Sequence, residues 1–404
     1  MKFFRDISEI DTQKYIIATY IITTRSIKED VNLREAAWAL AIGQSVGNPS
    51  VRNKWETEEL FENHSAIILD DEQKLKSVSA GIVDIAFPIV NTDWEEDGIS
   101  HLLCQLMGGH VDIDVFKSCR LIGLEFPDAV KKHFLGPAYG LTGMRKYTGQ
   151  YDKPLLGGIV KPKIGITPET LLDMVKQMVD GGVDFIKEDE IMANPAICPL
   201  YKRVDMIANY LAKVNSKVVF CHTINCDPHV LTERIRMVSE RGGNGVHINV
   251  WSGYGAYNSI RKLPVERQPF LHFQSSGAKV ITDKSHRFSI SWPVICKLAT
   301  MMGVDTIQTG MIGGYSNDDE NEVKECIDIL REGNTVPVLS CGFHPGLVER
   351  VTQEVGMDYM VNAGGAIHGH PYGTTSGAKA MRQAIDKNHG VEYDTAIEKW
   401  GLVK

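Results

Sequence analysis

Two short segments combine lysines and carboxylates in a way that could support metal chemistry. One reads Lys187-Glu188-Asp189-Glu190 and the other reads Lys161-Pro162-Lys163. Asp189 and Glu190 offer the hard oxygen ligands that Mg²⁺ prefers. A lysine close to a divalent cation has a lowered pKa and can remove a proton as a general base. Taken alone, each segment is also compatible with a solvated turn, because charge runs usually lie at the surface.

Two glycine-bearing segments further along the chain could hold an anion. They read Ser340-Cys341-Gly342 and Ala363-Gly364-Gly365-Ala366. Glycine allows backbone N–H groups to approach a phosphate closely. The alternative interpretation is that these glycines only form tight turns.

The elements that would position these segments recur along the chain. From about residue 155, a short apolar run is followed by a segment with helical spacing, and the pair occurs eight times. Predicted helices begin near Thr167, Leu200, Pro228, Tyr254, Ser291, Asp319, Gly346 and Gly373. Strands so short and apolar are typical of a parallel sheet that is buried on both faces. The predicted strands are 155–160, 184–187, 217–222, 245–250, 270–274, 305–309, 336–340 and 359–363.

Eight strand–helix units over roughly 230 residues predict a parallel (β/α)₈ TIM barrel of the α/β class. A doubly wound sheet is the alternative, and the count of eight favours the barrel. The charged and glycine-bearing segments all follow the carboxyl ends of predicted strands. Such ends line the active site of a barrel, so we expect these segments to converge at its mouth.

The first part of the chain has a different pattern. Alternating segments at 15–23, 65–69 and 77–87 are mixed with helical ones at 32–42 and 99–106. This mixture predicts a smaller α+β domain with an antiparallel sheet. We therefore predict an N-terminal domain over 1–145 and a barrel domain over 146–404, with the connection near 127–154.

Composition restricts the classes of partner. The 404 residues carry a formal net charge of −8 and show no basic stripe, so we expect no nucleic-acid partner. Apolar runs near the N-terminus are too short to span a bilayer and follow no basic segment, so we expect neither a membrane partner nor a signal peptide. The eight cysteines lack a C-x-x-C pair, which indicates free thiols and a cytoplasmic protein. The expected partners are small molecules and further copies of this chain.

Four motifs together resemble the RuBisCO superfamily, over nearly the whole chain. They are 158–165 (GIVKPKIG), 181–190 (GGVDFIKEDE), 134–137 (FLGP) and 338–342 (VLSCG). The resemblance implies that CO₂ carbamylates Lys187 and that this carbamate binds Mg²⁺ together with Asp189 and Glu190. It also implies that Lys161 is the base in enolisation and that Lys163 contacts the substrate. A head-to-tail homodimer, or a larger assembly of dimers, is implied as well.

The barrel segments also depart from the carboxylase pattern. Tyr315 stands where the loop after strand six carries a lysine, and Gln308 replaces a histidine at the end of that strand. Gln274 and Ser275 replace the second histidine and the arginine after strand five. The arginine and the strand-six histidine bind the second phosphate of a bisphosphate in carboxylases. Each such contact is worth roughly 1.5–3 kcal/mol, so their loss predicts a monophosphate substrate.

Two departures lie in the N-terminal domain. Gly43 replaces a glutamate that pairs with the loop lysine, and Gly109 replaces an asparagine that contacts substrate. The chain therefore resembles the non-carboxylating RuBisCO-like proteins (form IV). One group of these enolises 2,3-diketo-5-methylthiopentyl-1-phosphate in methionine salvage, with a lysine base at the position of Gly109. Because that lysine is absent here, we place the base on Lys161.

The predicted reaction is an Mg²⁺-dependent enolisation of a phosphorylated keto sugar or sugar acid. The resulting enediolate is then reprotonated, isomerised or decarboxylated, without carboxylation. Ser340, Gly342, Gly364 and Gly365 are the predicted phosphate ligands. Further substrate contacts are expected from His272, Gln274 and Gln308, and possible proton donors are His272, His368 and His370. The alternatives are the methionine-salvage enolase itself and a regulatory or binding homologue that has lost the chemistry.

Overall fold

The computed structural model describes residues 2–25, 31–48, 51–316 and 318–403. The chain forms two compact units, which are Met1–Phe134 with Gly277–Leu298, and Leu135–Ser276 with Ala299–Lys404. The boundary that the sequence suggests at residues 145 and 146 stays a prediction. No helix in these parts of the chain is long and apolar enough to cross a membrane.

The first unit contains a five-stranded sheet. Strands are numbered in chain order, and those of this sheet are β1 (Tyr15–Thr24), β2 (Ile67–Ile68), β3 (Ala80–Pro88), β4 (Phe116–Glu125) and β10 (Phe288–Ile290). Their order is β10-β4-β1-β3-β2, and β1 pairs antiparallel with both β3 and β4. The main helices near this sheet in the chain are α1 (Leu33–Gly43), α2 (Glu58–His64), α3 (Glu72–Lys76) and α4 (Gly98–Leu106). The predicted smaller N-terminal sheet domain is therefore confirmed, and its pairs are antiparallel except that β10 pairs parallel with β4.

Besides the three-residue β10, strand β4 is the element of this sheet that the sequence pattern does not predict. Its pairing with β1 shifts register between Thr19 and Tyr20 and again between Thr23 and Thr24. Each irregularity interrupts the strict alternation of apolar and polar residues on which strand prediction depends. Lys117 and Arg120 add charge to an otherwise apolar segment, so the strand lacks a clear period of two.

The second unit is a closed barrel of parallel strands. Its strands are β5 (Leu155–Ile159), β6 (Phe185–Lys187), β7 (Val219–Thr223), β8 (Gly245–Asn249), β9 (Phe270–Gln274), β11 (Thr306–Gly310), β12 (Val336–Leu339) and β13 (Met360–Ala363). They close in the order β11-β12-β13-β5-β6-β7-β8-β9. The predicted (β/α)₈ barrel is confirmed, and the doubly wound alternative is wrong.

Helices follow the barrel strands as predicted. They are α7 (Pro168–Asp180), α8 (Leu200–Lys213), α9 (Pro228–Glu240), α10 (Gly255–Lys262), α12 (Trp292–Met301), α13 (Glu320–Glu332), α14 (Val348–Val355) and α16 (Thr374–Asp386). Thr167 caps α7 by accepting a hydrogen bond from the Thr170 N–H at 3.2 Å, and Pro168 begins the helix. Shorter or terminal helices are α5 (Asp128–Lys131), α6 (Gly140–Thr148), α11 (Lys279–Thr282), α15 (Gly365–His368) and α17 (Val391–Trp400).

Two apolar cores support the barrel. Inside it, Leu155, Phe185 and Phe270 are buried, and Met144 of α6 packs with them. The predicted connection at 127–154 thus contains a helix that contributes to the barrel core. A second core joins strands to outer helices through residues such as Leu171 and Ile207. The barrel strands are mainly apolar, and the charged side chains of interest lie at or beyond their carboxyl ends.

Candidate active site at the barrel mouth

The neighbouring strands β5 and β6 bring the two charged segments together. Ile159 pairs with Lys187 in the parallel register, so the residues that follow each strand meet at the same end of the barrel. The Nζ atom of Lys161 donates a hydrogen bond to Oδ2 of Asp189 at 2.7 Å. Lys163 Nζ lies 3.9 Å from the same oxygen. The site therefore unites lysines and a carboxylate that are 28 and 26 residues apart in the chain.

Lys187 is buried, with only 1% of its side chain exposed. Its Nζ donates to the Glu188 carbonyl oxygen at 3.0 Å and lies 4.0 Å from Oε2 of Glu190. Burial lowers the pKa of Lys187 to about 8, although the nearby Glu190 and Asp189 carboxylates act in the opposite direction. The amine is therefore neutral in a substantial fraction of molecules near pH 8, which an exposed lysine would not be.

The two carboxylates of the site have different surroundings. Burial raises the pKa of Asp189, but the hydrogen bond and charge of Lys161, with the charges of Lys187 and Lys163, outweigh it and lower the pKa. Glu190 is more accessible, and its Oε2 accepts a hydrogen bond from Nε2 of Gln274 at 3.0 Å. Asp189 is therefore held ionised at neutral pH, as a metal ligand must be.

A buried ion pair holds the backbone between these ligands. Oε1 of Glu188 accepts a hydrogen bond from Nε of Arg203, on helix α8, at 2.7 Å. Its Oε2 accepts from the Thr223 N–H at 2.8 Å, and His222 Nδ1 lies 3.2 Å from Oε1. Both charged side chains are fully buried. The segment from Lys187 to Glu190 is thus anchored through the side chain of Glu188.

Sequence reasoning did not single out Glu188 or Arg203 as a buried pair. A signal was available, because Arg203 lies on the apolar face of α8, which also carries Leu200, Val204, Ile207 and Leu211. An arginine inside such a stripe requires a buried partner.

The donor set fits Mg²⁺ if Lys187 is carbamylated. In the described residues, no three His, Cys, Asp or Glu side chains are grouped to hold a metal ion. Asp189 and Glu190 supply two carboxylates, and a carbamate would turn the buried cation of Lys187 into a third anionic oxygen ligand. The lowered pKa of Lys187 favours the neutral amine that reacts with CO₂. Three oxygen ligands with open positions for water or substrate suit Mg²⁺.

The ends of β9 and β11 carry neutral polar side chains. Gln274 is 2% exposed, and its Nε2 also donates to Oγ of Ser276 at 2.6 Å. Gln308 is 7% exposed, and its Oε1 accepts from Oγ of Ser275 at 2.9 Å. His272 lies deeper, with Nδ1 2.8 Å from Oγ1 of Thr306.

The glycine segments lie at the ends of β12 and β13. Cys341 and Gly342 have φ angles of 82° and 98°, a region that favours glycine. A Cβ on Gly342 would lie 2.6 Å from Cδ1 of Tyr315, so the tyrosine ring lies against this glycine. A Cβ on Gly364 would lie 3.4 Å from Cε of Lys161, whereas one on Gly365 would have no neighbour within 4 Å. The Gly364 segment is therefore adjacent to Lys161 and open beside it.

Comparison with known proteins identifies the family. The family described as ribulose bisphosphate carboxylase large chain, catalytic domain, matches residues 140–400. The chain belongs to the RuBisCO large-chain family. The ribulose bisphosphate carboxylase of Archaeoglobus fulgidus is 29% identical over 426 residues, which cover 96% of this chain and 95% of that protein. A 2,3-diketo-5-methylthiopentyl-1-phosphate enolase of Bacillus pumilus is 28% identical over 412 residues, covering 96% and 99%.

A solved structure agrees with this assignment. The octameric ribulose-1,5-bisphosphate carboxylase/oxygenase of Pyrococcus horikoshii, in complex with sulfate, has a TM-score of 0.87 and 26% identity. The match covers 100% of this chain and 97% of that one. The relatives named above are enzymes. The chain itself has the RuBisCO fold.

Two histidines of this RuBisCO-family chain have both ring nitrogens engaged. His368 contacts the Ile159 carbonyl oxygen at 3.0 Å and Oγ1 of Thr374 at 3.1 Å. His370 contacts the Glu392 carbonyl oxygen at 2.9 Å and accepts from the Tyr372 N–H at 3.1 Å. The Nε2 atom of His272, in contrast, is buried without a partner among the described residues. Of the three proposed proton donors, His272 alone therefore has a ring nitrogen without a close hydrogen bond, and its ring interacts with the Gln274 side chain.

In the first unit, Gly43 and Gly109, the two glycines that replace larger residues of the carboxylases, have different surroundings. A Cβ on Gly43 would lie 2.0 Å from Cδ2 of His110, so no side chain fits there while His110 keeps its position. A Cβ on Gly109 would have nothing within 4 Å. The His110 ring thus occupies the space that a carboxylase glutamate at position 43 would need.

Proposed function

We propose that the protein enolises a phosphorylated keto sugar or sugar acid in an Mg²⁺-dependent reaction, without carboxylating ribulose bisphosphate. The observation that carries the proposal is the 2.7 Å contact between Lys161 Nζ and Asp189 Oδ2, beside the buried Lys187. A proton-transferring amine is thereby adjacent to a candidate metal ligand. The alternative of separate, solvated charge runs does not account for that contact.

Lys161 is the proposed base. Its side chain is about one-third exposed, so a substrate in the mouth can reach Nζ. The neutral form of Nζ, which a divalent cation bound by Asp189 would favour, would accept the α-proton of the substrate. Lys163, which is half exposed, would stabilise the negative charge that develops on oxygen. Ser340, Gly342, Gly364 and Gly365 would bind the phosphate and so place the α-carbon near Lys161.

Lys187, Asp189 and Glu190 are the proposed ligands of Mg²⁺, with Lys187 as its carbamate. The metal would supply Lewis-acid stabilisation of the charge on the ketone oxygen. The buried pair of Glu188 and Arg203 keeps these three side chains in place. The RuBisCO family is generally Mg²⁺- and carbamate-dependent, which supports the proposal.

The substrate is proposed to be a monophosphate. Ser275 and Gln308 bring no positive charge to the end of the mouth where carboxylases of the family hold a second phosphate. Tyr315 brings no ammonium group to the loop after β11. A homodimer or an assembly of dimers is proposed as well, since the similar Pyrococcus horikoshii protein is octameric.

The methionine-salvage enolase is the second candidate. The similarity to the Bacillus pumilus enzyme over 96% of this chain favours it. Gly109 argues against it, because the resemblance places the base of that enolase at this position. A silent binding homologue is the third candidate, and it would bind monophosphates without removing a proton.

Exchange of the substrate α-proton with D₂O tests the proposal. Purified protein, Mg²⁺ and bicarbonate are mixed with pentulose 1-phosphates, and exchange is followed by NMR. We expect Mg²⁺-dependent exchange that Lys161→Met lowers by roughly 10²-fold or more. Lys213→Met, at an exposed position at the end of α8, is the matched control and should exchange normally.

Two results would contradict parts of the proposal. Equal exchange rates in Lys161→Met and Lys213→Met would remove Lys161 from the role of base. Binding of monophosphates by the wild-type protein without any exchange would favour the silent homologue.

A further inference from the structure

We infer that Gln274 and Gln308 form a subsite for an uncharged hydroxyl group at the end of the substrate that is remote from its phosphate. The inference rests on the proposed function, because it assumes that the substrate lies across the barrel mouth. It narrows the substrate class to monophosphates with a hydroxylated distal end. It excludes both a second phosphate and an apolar methylthio group at that end.

The strand order places the two glutamines opposite the proposed base. Around the closed barrel, β9 is four strands away from β5, which precedes Lys161, and β11 is the neighbour of β9. Thr306 pairs with His272 and Ile307 with Phe273, so Gln308 lies level with Gln274. A substrate that reaches from the Gly364 segment past Lys161 would have its other end at these two side chains.

The amide of Gln274 has one defined orientation. Its Nε2 lies 3.0 Å from the Glu190 carboxylate, which only accepts hydrogen bonds, so this atom must be the nitrogen. The same Nε2 donates to Ser276 Oγ at 2.6 Å, which uses its second hydrogen. The Oε1 atom is buried with no donor within hydrogen-bond distance among the described residues, although the His272 ring interacts with this side chain. A buried acceptor without a donor is costly, and a substrate donor would remove that cost.

The amide of Gln308 has the complementary orientation. Its Oε1 lies 3.4 Å from the Ser275 N–H, which only donates, so this atom must be the oxygen. Ser275 Oγ donates to the same oxygen at 2.9 Å. The Nε2 hydrogens of Gln308 have no hydrogen-bond acceptor within the described parts of the chain, and they are available to a ligand.

An acceptor and a donor on adjacent strands match a hydroxyl group. The hydroxyl would donate to Gln274 Oε1 and accept from Gln308 Nε2. A fully ionised phosphate cannot donate a hydrogen bond, and its charge would lie close to the Glu190 carboxylate that Gln274 contacts. A methylthio group would offer no hydrogen-bond donor to Gln274 Oε1.

Calorimetric binding of four probes tests the subsite. The probes are D-ribulose 1-phosphate, its 5-deoxy and 5-methylthio analogues, and D-ribulose 1,5-bisphosphate, each measured with Mg²⁺ and bicarbonate. We expect the hydroxylated monophosphate to bind roughly 5- to 150-fold more tightly than the 5-deoxy analogue, because that analogue leaves a buried acceptor unpaired. The bisphosphate and the methylthio analogue should also bind more weakly than the hydroxylated monophosphate.

A variant separates the role of Gln308 from general loss of folding. Gln308→Met keeps the volume but removes the donor, and it should reduce the preference for the hydroxyl over the 5-deoxy probe by about 2- to 12-fold. Gln177→Met on α7 makes the same chemical change outside the mouth and should keep the full preference. Circular dichroism confirms that both variants are folded.

The outcomes distinguish this inference from the proposed function. Equal affinity for the hydroxylated and 5-deoxy probes, tighter binding of the bisphosphate, or binding of none of the four would overturn the subsite. An unchanged preference in Gln308→Met would also overturn it. The expected order of affinities without α-proton exchange would support the subsite and refute the enolisation.

Discussion

Replacing Arg203 by methionine should strongly destabilise the barrel. Arg203 is fully buried and donates to Oε1 of Glu188 at 2.7 Å and to the Cys198 carbonyl oxygen at 2.6 Å. It also donates to the carbonyl oxygens of Ala193 and Thr223. The substitution leaves the Glu188 carboxylate buried without its cation. Breaking a buried pair in this way costs about 3–5 kcal/mol.

The pKa of Glu188 gives a similar value for the stability that its ion pair contributes. Burial raises this pKa, but the charge of Arg203 and the hydrogen bond and charge of His222 outweigh it and lower the pKa from 4.5 to about 2. A difference of that size corresponds to about 3 kcal/mol of folding free energy. Since the folded-state pKa is the lower one, this stabilisation is fully present above about pH 4.5. It is lost as the pH falls from about 4.5 to about 2.

Urea unfolding followed by tryptophan fluorescence measures the effect. At pH 7 we expect the free energy of unfolding of Arg203→Met to be lower than that of wild type by about 3–5 kcal/mol. This difference should shrink as the pH falls below about 4.5. Lys202→Met is the matched control, because Lys202 contacts Glu169 at 2.8 Å with both side chains largely exposed. Such a surface pair contributes at most about 1 kcal/mol.

A double variant checks the physical reason. Glu188→Gln combined with Arg203→Met removes both charges and should lose less stability than Arg203→Met alone. Equal losses in Arg203→Met and Lys202→Met would refute the reasoning. Because Glu188 lies between Lys187 and Asp189, the single variant should also bind Mg²⁺ more weakly.

Two further predictions concern the candidate metal site and the first unit. In CO₂-free buffer at pH 7, Lys187→Met should be more stable than wild type by about 3 kcal/mol, because burial lowers the pKa of Lys187 from 10.5 to about 8. The stability of the wild type should rise between about pH 8 and pH 10.5, because in this range Lys187 keeps its proton only in the unfolded chain. The difference in unfolding free energy between Lys187→Met and wild type should therefore narrow, and a difference that widens with pH would contradict the prediction. Gly43→Ala should cost about 1–3 kcal/mol in urea unfolding, because its Cβ would lie 2.0 Å from His110. Gly109→Ala has open space and should change stability by less than about 0.5 kcal/mol, and equal effects of the two would be the contrary result.

The barrel was predictable because its strands are apolar on both faces. Segments such as 155–160 and 336–340 are short and mainly apolar, and the caps at Thr167 and Asp319 mark where helices begin. These signals are local, so one sequence contains them in full. Strand β4 was not predictable, because its bulged pairing with β1 depends on residues about 100 positions away in the chain.

The residue types of the candidate site were determined by the sequence itself. Lys161, Lys187, Asp189 and Glu190 could be selected from their chemistry and from their places after predicted strands. The tertiary structure decided which of them contact each other, and it brought Lys161 to Asp189 across two adjacent strands. Burial also depends on the whole barrel, which is why the lowered pKa of Lys187 could not be derived from its neighbours in the chain.

The glutamines show this division most clearly. The sequence determined that Gln274 and Gln308 are neutral, and therefore that this end of the site carries no charge for a second phosphate. Only the closed barrel places Gln274 against Glu190, which is 84 residues away, and leaves its buried Oε1 atom with no donor within hydrogen-bond distance among the described residues. A hydrogen bond between distant residues depends on the path of the backbone between them, and that path is a property of the folded chain.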